Sequence, residues 1–212
     1  MTDQEKLSRR QRDRLRHKEE ILAAALKLFS DRGFHDVSMQ EIATEAEFAT
    51  GTLYNFFPSK DALFDELLDG SAERITSELA AILGQPGTEV ERLSRYFRSL
   101  PSQLEMHAPF IKLYVSEVGT RGAKLAKDRD KEEVSAAMAL KVQDLLESGI
   151  RKGYFRPVDA EVAAIAITST LETVAFGMAG RFDLAEATRI FEKVEQLFVD
   201  GLLLPEGQHH DE

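Results

Sequence analysis

Three segments of this 212-residue sequence begin with the same pattern, a Ser, Thr or Asp followed three residues later by Glu. The three pairs are Ser38 with Glu41, Thr88 with Glu91, and Asp183 with Glu186. At this spacing each side chain can satisfy an exposed amide of the first helical turn. Apolar residues at helical spacing follow each pair, so the pattern predicts three helix starts.

The rest of the chain also contains residues that typically start or end helices. One helix is expected to end before Gly33, a second to run from Ser59 to about Gly84, and Pro101 is expected to bend or interrupt another. Asp159 is expected to cap a helix that is apolar nearly all round. Nothing alternates like a β-strand for more than a few residues. The sequence therefore predicts an all-α fold of nine helices.

The composition argues against a membrane-spanning, secreted or disulfide-containing protein. No stretch approaches the roughly 20 uninterrupted apolar residues of a membrane span, and the basic N-terminus is not followed by the apolar segment of a secretory signal. We therefore expect a cytoplasmic protein. The chain has no cysteine, which excludes disulfides, thiolate metal sites and cysteine nucleophiles.

The charge of −10 argues, taken alone, against a nucleic-acid partner. Its distribution is uneven, because residues 1–60 contain ten basic and ten acidic side chains and the whole acidic excess lies beyond them. Seven cations, among them Arg14, fall in the thirteen residues from Lys6 to Lys18. This basic arm is typical either of a solvated, frayed terminus or of a phosphate-binding segment.

Residues 38–57 predict two short helices joined by a turn. In a helix starting at Thr50, the apolar side chains Leu53, Phe56 and Phe57 share one face. Gly51 lies opposite them, so the other face is small and polar. Such a pair is typical of a helix-turn-helix, whose second helix enters the major groove of DNA. The spacing of the residues alone equally allows a plain helical hairpin whose polar side faces solvent.

The segment ILAAALKLFSDRGFHDVSMQEIATEAEFATGTLYNFFPSKDALF, residues 21–64, resembles the N-terminal domain of the TetR family of bacterial transcriptional regulators. The resemblance implies three N-terminal helices for DNA, a divergent helical domain for a ligand, and two C-terminal helices that pair into a homodimer. It also implies a repressor that leaves a palindromic operator when a small-molecule effector binds. We assign residues 1–58 to the DNA-binding domain with its arm, 59–204 to the ligand-binding and dimerisation domain, and 205–212 to a disordered tail.

Matching positions to the family pattern gives the expected DNA contacts. Phosphate contacts fall on Ser38, Thr52, Tyr54 and Lys60, base-facing positions on Thr50, Gly51 and Asn55, and the basic arm adds Arg14. Two positions depart from the pattern. Glu47 stands where the turn usually has glycine, and Ala49 stands where the second helix usually has a hydroxyl cap. A missing cap costs roughly 1 kcal/mol, and glutamate in a left-handed turn is strained.

Two C-terminal segments predict a dimer interface. The helix after Asp159 is too apolar to have a solvent face, and the last helix carries an apolar stripe that includes Leu197. Pairing about a two-fold axis would cover both, although an intramolecular core is the alternative.

Effector contacts are expected on the middle helices. The candidate lining residues are Phe97, Phe110, Tyr114, Met138 and Phe176, and the candidate polar anchors are His107, Glu117, Thr168 and Glu172. Aromatic and methionine residues at helical spacing are more often ordinary core residues, and the two glutamates are alternatively exposed or paired side chains.

No residue pattern supports catalysis, a metal site or a cofactor. The five histidines contain no pair at metal-binding helical spacing, and no nucleophile elbow, phosphate loop or dinucleotide fingerprint is present. We therefore predict a regulator and not an enzyme. The competing prediction is a helical small-molecule or protein-binding module whose N-terminal hairpin no longer binds DNA.

Overall fold

The computed structural model describes residues 8–121 and 128–203, so the predicted tail at 205–212 lies outside the described residues. Within these ranges the chain is all-α with nine helices, which confirms the predicted fold class. The helices are α1 (Arg9–Arg32), α2 (Met39–Glu45), α3 (Thr50–Tyr54), α4 (Lys60–Leu83), α5 (Glu89–Met106), α6 (Ala108–Arg121), α7 (Asp128–Arg151), α8 (Ala160–Met178) and α9 (Leu184–Leu202).

The predicted caps are present at the starts of these helices. Ser38 and Thr88 each form a reciprocal capping box with the glutamate three residues later, whereas Asp183 only accepts the Glu186 N–H. Pro101 lies inside α5, which continues past it to Met106. A further box at Ser8 starts α1, so the basic segment from Arg9 onward is helical and the interpretation as a frayed arm is wrong for it.

The N-terminal core joins the first four helices to α6. Ile42 of α2, Leu53 of α3 and Leu63 of α4 are fully buried in it, together with Leu113 of α6. The aromatic rings of Phe29, Phe34 and Phe64 contact one another at centroid distances of 4.7–5.7 Å. The short helices α2 and α3 therefore rest on a core that residues outside the first 58 help to build.

The larger C-terminal core is built chiefly by α5 against α9 and by α7 against α8. Phe97 of α5 stacks on Phe198 of α9 with ring centroids 6.2 Å apart. Leu26 and Leu68 pack against both cores. The two cores are therefore in direct contact through α1 and α4.

A buried carboxylate connects α5 to α7. Glu89 is only 1% exposed, and its Oε1 accepts hydrogen bonds from Ser148 Oγ (2.7 Å) and Lys152 Nζ (2.6 Å). The bond from Lys152 outweighs burial and lowers the pKa of Glu89 to about 2. Beside this contact, a Cβ on Gly149 would lie 2.2 Å from the Phe155 ring. The ends of these helices thus depend on close packing around one ionised group.

We predict that Glu89→Gln lowers the free energy of unfolding at pH 7 by about 1–3 kcal/mol, because charge-assisted hydrogen bonds to a buried group are lost. The folded-state pKa lies below the ordinary value, so this stabilisation is present above about pH 4.5 and is lost as the pH falls toward 2. Urea denaturation of both proteins between pH 7 and pH 2.5 measures the difference. Glu105→Gln, an exposed change on the same helix, is the control. Equal stability of the Glu89→Gln variant and the wild type at pH 7 would contradict this assignment.

Candidate nucleic-acid interface

Helices α2 and α3 form a helix-turn-helix with one packed face. Ile42 and Ala43 of α2 and Leu53 of α3 are at most 1% exposed, and Phe57 just after α3 is equally buried. Ala46 and Phe48 are half-buried and pack against the same core. The packed face predicted from helical spacing is therefore the one that the structure buries.

The opposite face of α3 stands clear of the rest of the chain. A Cβ built on Gly51 meets no atom within 4 Å, Asn55 is exposed, and Tyr54 is 51% exposed. Thr50 and Thr52 are partly exposed beside them. A backbone without a side chain at its centre, flanked by hydroxyl and amide groups, can approach a groove wall and its base edges.

The turn between α2 and α3 has the strain that its sequence predicts. Glu47 has φ +59°, the only positive φ of a non-glycine residue in the described part of the chain. The Phe48 N–H nevertheless donates to the Ala43 carbonyl at 2.8 Å, and no side chain caps α3 at Ala49. Phe48 meets the His17 ring edge-on at 5.1 Å. Packing of the turn against α1 thus compensates for a left-handed glutamate and a missing cap.

The acidic side chains of α2 are paired with cations of α1. Glu41 lies 2.8 Å from Arg32, and Glu45 lies 2.5 Å from Lys27. Hydrogen bonds from Ser38, with a further one from Arg32, lower the pKa of Glu41 to about 2. The Ser38 hydroxyl also donates to Glu41 at 2.7 Å. Ser38, a predicted phosphate contact, is thus also the cap of α2.

Basic residues of α1 lie beside the end of α3. The Arg14 guanidinium is 5.5 Å from the centroid of the Phe56 ring, and the Lys18 ammonium is 5.8 Å from that of Phe57. Lys18 also forms an ion pair with Glu66 of α4. Helix α1 thus brings Arg14 next to Phe56, just after α3, whereas Lys6 lies outside the described residues.

Lys60 makes hydrogen bonds within its own chain. Its ammonium lies among the backbone carbonyls of residues 34, 35 and 37, in the loop before α2. Its predicted role at a phosphate stays a prediction. Local sequence patterns carry no signal of the carbonyl contacts, because these contacts join residues more than 20 positions apart.

The predicted apolar effector residues divide into two groups. Phe110, Tyr114 and Phe176 form a chain of ring contacts at centroid distances of 5.9 and 5.4 Å. Phe97 and Met138 are buried in the C-terminal core. The structure therefore brings together the three aromatic rings that connect α6 to α8.

The polar anchors lie apart from one another. The Thr168 hydroxyl donates to the Ala164 carbonyl of its own helix, and His107 Nε2 lies 2.8 Å from Glu78 Oε2. Glu172 is exposed. Tyr96, which the sequence analysis did not select, is buried, and its pKa is raised by burial and by the charge of Glu172. Its phenol is a candidate anchor recognisable only once α5 and α8 are seen together.

Glu117 of α6 contacts the N-terminal part of the chain. It is 5% exposed, and its Oε1 accepts the Phe34 N–H at 3.3 Å. This bond joins α6 to the loop before α2. A displacement of α6 therefore has to break the bond or move that loop.

Two family models match the chain. Residues 21–67 match the bacterial regulatory proteins of the tetR family, and residues 90–176 match a tetracyclin repressor-like C-terminal domain. The uncharacterized HTH-type transcriptional regulator YdgC of Bacillus subtilis is 31% identical over 191 residues, which cover 88% of this chain and 92% of the relative. This chain belongs to the TetR family. It is a helix-turn-helix transcriptional regulator, and the family is not enzymatic.

Further relatives agree with this assignment. The HTH-type transcriptional repressor KstR2 of Mycobacterium tuberculosis is 29% identical over 142 residues, covering 65% of this chain and 68% of the repressor. Two regulators named FadR share the fold, one of them described as a fatty acid degradation regulator. FadR of Bacillus halodurans has a TM-score of 0.70 at 24% identity, with 87% of this chain and 98% of FadR covered. FadR of Bacillus subtilis in complex with stearoyl-CoA has a TM-score of 0.68 at 19% identity, with the same shares covered.

Metal chemistry has no support in the described parts of the chain, where no group of three or more His, Cys, Asp or Glu side chains is placed to hold an ion.

Proposed function

We propose that this TetR-family regulator is a cytoplasmic homodimer that represses transcription at a palindromic operator and is released by an apolar small-molecule effector. The observation that carries the proposal is the open face of α3, where a Cβ on Gly51 would meet no atom of the surrounding structure within 4 Å. The proposed DNA contacts are Ser38, Thr50, Gly51, Thr52, Tyr54, Asn55 and Arg14.

Homodimer formation is supported by apolar side chains that a single subunit leaves exposed. Val162 and Ile165 of α8 are 62% and 51% exposed, and Leu197 of α9 is 70% exposed. By length and composition alone α8 could also span a membrane, with a mean hydropathy of 1.3. Membership in a DNA-binding family favours burial against a second subunit, which also supplies the second recognition helix for a palindrome.

The effector class is supported by the aromatic chain and by the relatives. Phe110, Tyr114 and Phe176 offer ring surfaces between α6 and α8. KstR2 is described as a ketosteroid transcriptional regulator, and FadR of Bacillus subtilis is seen with stearoyl-CoA. We propose that the effector is an acyl-CoA or a steroid whose apolar part is of similar length to the acyl chain. We propose that Tyr96 is among its contacts.

A second candidate is a helical binding module that has lost DNA function. The observations that favour it are the strained Glu47 in the turn, the uncapped Ala49 and the net charge of −10. It shares the effector domain with the first proposal and differs only at the DNA-binding face. A DNA selection separates the two.

We predict that selection from a random duplex library with the purified protein returns an enriched palindrome, and that Gly51→Leu weakens binding to it at least tenfold. The added side chain meets nothing in its own fold, so it acts on the approach to the groove. Gly70→Leu on α4, equally free of neighbours, is the matched control and is expected to bind like the wild type. An enriched palindrome that Gly51→Leu binds as tightly as the wild type would refute the role of this face. No enrichment for the wild type would favour the binding module.

We predict that the double substitution Ile165→Lys with Leu197→Lys raises the dissociation constant of the dimer on the order of a hundredfold. The reason is that four apolar side chains per dimer are replaced by cations. Sedimentation equilibrium measures the shift. Met106→Lys with Leu140→Lys, at residues 65% and 60% exposed elsewhere, is the control. A wild-type protein that sediments as a monomer at micromolar concentration would contradict the dimer.

We predict that stearoyl-CoA raises the melting temperature of the protein and releases it from the selected duplex, because a ligand that binds only the folded state stabilises it by mass action. Free coenzyme A is the control for the nucleotide part, and a ketosteroid tests the other proposed class. If all three leave the melting temperature unchanged at saturating concentration, the proposed effector class is wrong.

A further inference from the structure

Helix α1 begins well before it reaches the protein core. Ser8 starts it with a capping box that includes Gln11, whereas its first fully buried side chain is Ile21, about three turns later. Residues 9–16 are exposed except for Asp13, which is half-buried. Short helical segments are marginally stable in water, and a capping box stabilises them by satisfying the first amides. The start of α1 is therefore a capped helical projection whose side chains lie outside the core.

The projection at residues 9–16 contains five arginines and one carboxylate. Side chains four positions apart share a face of a helix, and side chains six positions apart do not. Arg10 and Arg14 therefore lie on one face, whereas Arg9 and Arg16 lie on another together with Asp13. The positive charge of the projection is thus divided between two faces that have different neighbours.

The face with Arg16 has anionic neighbours on its own helix. The Arg16 guanidinium lies 3.6 Å from the Asp13 carboxylate and 3.7 Å from the Glu20 carboxylate. Both pairs have the spacing at which side chains of one helix meet. The charge of Arg16 is therefore balanced in part within α1.

The face with Arg10 and Arg14 is the one that turns toward the helix-turn-helix. The Arg14 guanidinium is 5.5 Å from the centroid of the Phe56 ring, and one turn later the Lys18 ammonium is 5.8 Å from that of Phe57. Phe56 comes two residues after the end of α3. This face of α1 therefore continues the surface that begins at the end of α3.

Arg10 lies one turn beyond the last of these contacts. Four residues correspond to about 6 Å along a helix axis, so Arg10 is held past Phe56 by the rigid helix. Neither Arg10 nor Arg14 forms an ion pair with a carboxylate in the part of the chain that the structure describes. A DNA duplex read by α3 continues on both sides of the half-site, and its phosphates carry the charge that these two cations complement.

We propose that Arg10 and Arg14 form a phosphate-binding face on α1, which contacts the DNA backbone beyond the half-site read by α3. The proposal rests on the DNA-binding function proposed above. It adds Arg10 to the DNA contacts and makes the bound duplex longer than the bases that α3 reads. Phosphate contacts position a protein on DNA without reading its sequence, so this face contributes affinity and not base preference.

The salt dependence of binding measures how many phosphates the protein neutralises. On the palindrome selected by the wild type, we expect Arg10→Gln to reduce the slope of log K against log salt concentration by about 0.9 per subunit. Arg16→Gln removes the same charge from the same helix but from the other face, and we expect it to keep the wild-type slope. An unchanged slope in Arg10→Gln, or an equal reduction in both variants, would overturn the proposal.

Shortened duplexes locate the contact. We expect removal of the base pairs outside the two half-sites to weaken binding by the wild type more than binding by Arg10→Gln, because the variant has already lost its contact there. The palindrome selected by Arg10→Gln should equal that of the wild type. An equal loss for both proteins on shortening, or a changed base preference in the variant, would contradict a phosphate contact beyond the half-site.

The free protein provides a test that needs no DNA. Backbone chemical shifts of residues 9–16 should be helical in the wild type and less so in Ser8→Ala, which lacks the cap. Random-coil shifts in the wild type would remove the preformed face and overturn the proposal. Failure of the DNA-binding function is distinguishable, because no palindrome is then enriched although α1 is formed. The proposal alone fails if the palindrome is bound and Arg10→Gln behaves like Arg16→Gln.

Discussion

The two DNA-reading helices hold their place because a shared aromatic core lies beneath them. With seven and five residues, α2 and α3 are too short to be stable alone. Their buried side chains Ile42 and Leu53 rest on the cluster of Phe29, Phe34 and Phe64. Since residues of α4 and α6 belong to the same core, the helix-turn-helix and the helices that follow it share one packed cluster.

Local ion pairing explains how a strongly acidic protein can present a face to DNA. Arg32 and Lys27 of α1 pair with Glu41 and Glu45 of α2, so the carboxylates nearest the open face have neighbouring cations. The acidic excess lies beyond residue 60. Screening at physiological salt reduces the effect of charges more than about 8 Å away. Local charge at the face therefore matters more than the net charge of the chain.

Local patterns in the sequence were sufficient to predict the helices, because caps and helical periodicity depend on residues only a few positions apart. Ser38, Thr88 and Asp159 were predicted as caps and are observed as caps. The open face of α3 also followed from spacing. Contacts between segments far apart in the chain could not be predicted from such local patterns. Lys60 contacts carbonyls more than 20 residues earlier, and Glu117 contacts Phe34, which is 83 residues away.

The central claim is that two copies of the α3 face read one palindrome. Hydroxyl-radical footprinting of the wild-type protein on the duplex selected by it tests this claim directly. The account predicts two protected regions related by the symmetry of the palindrome, with centres one or more helical turns apart, on the order of 10 base pairs or a multiple of it. A single protected region, or protection that ignores the palindrome, would contradict it.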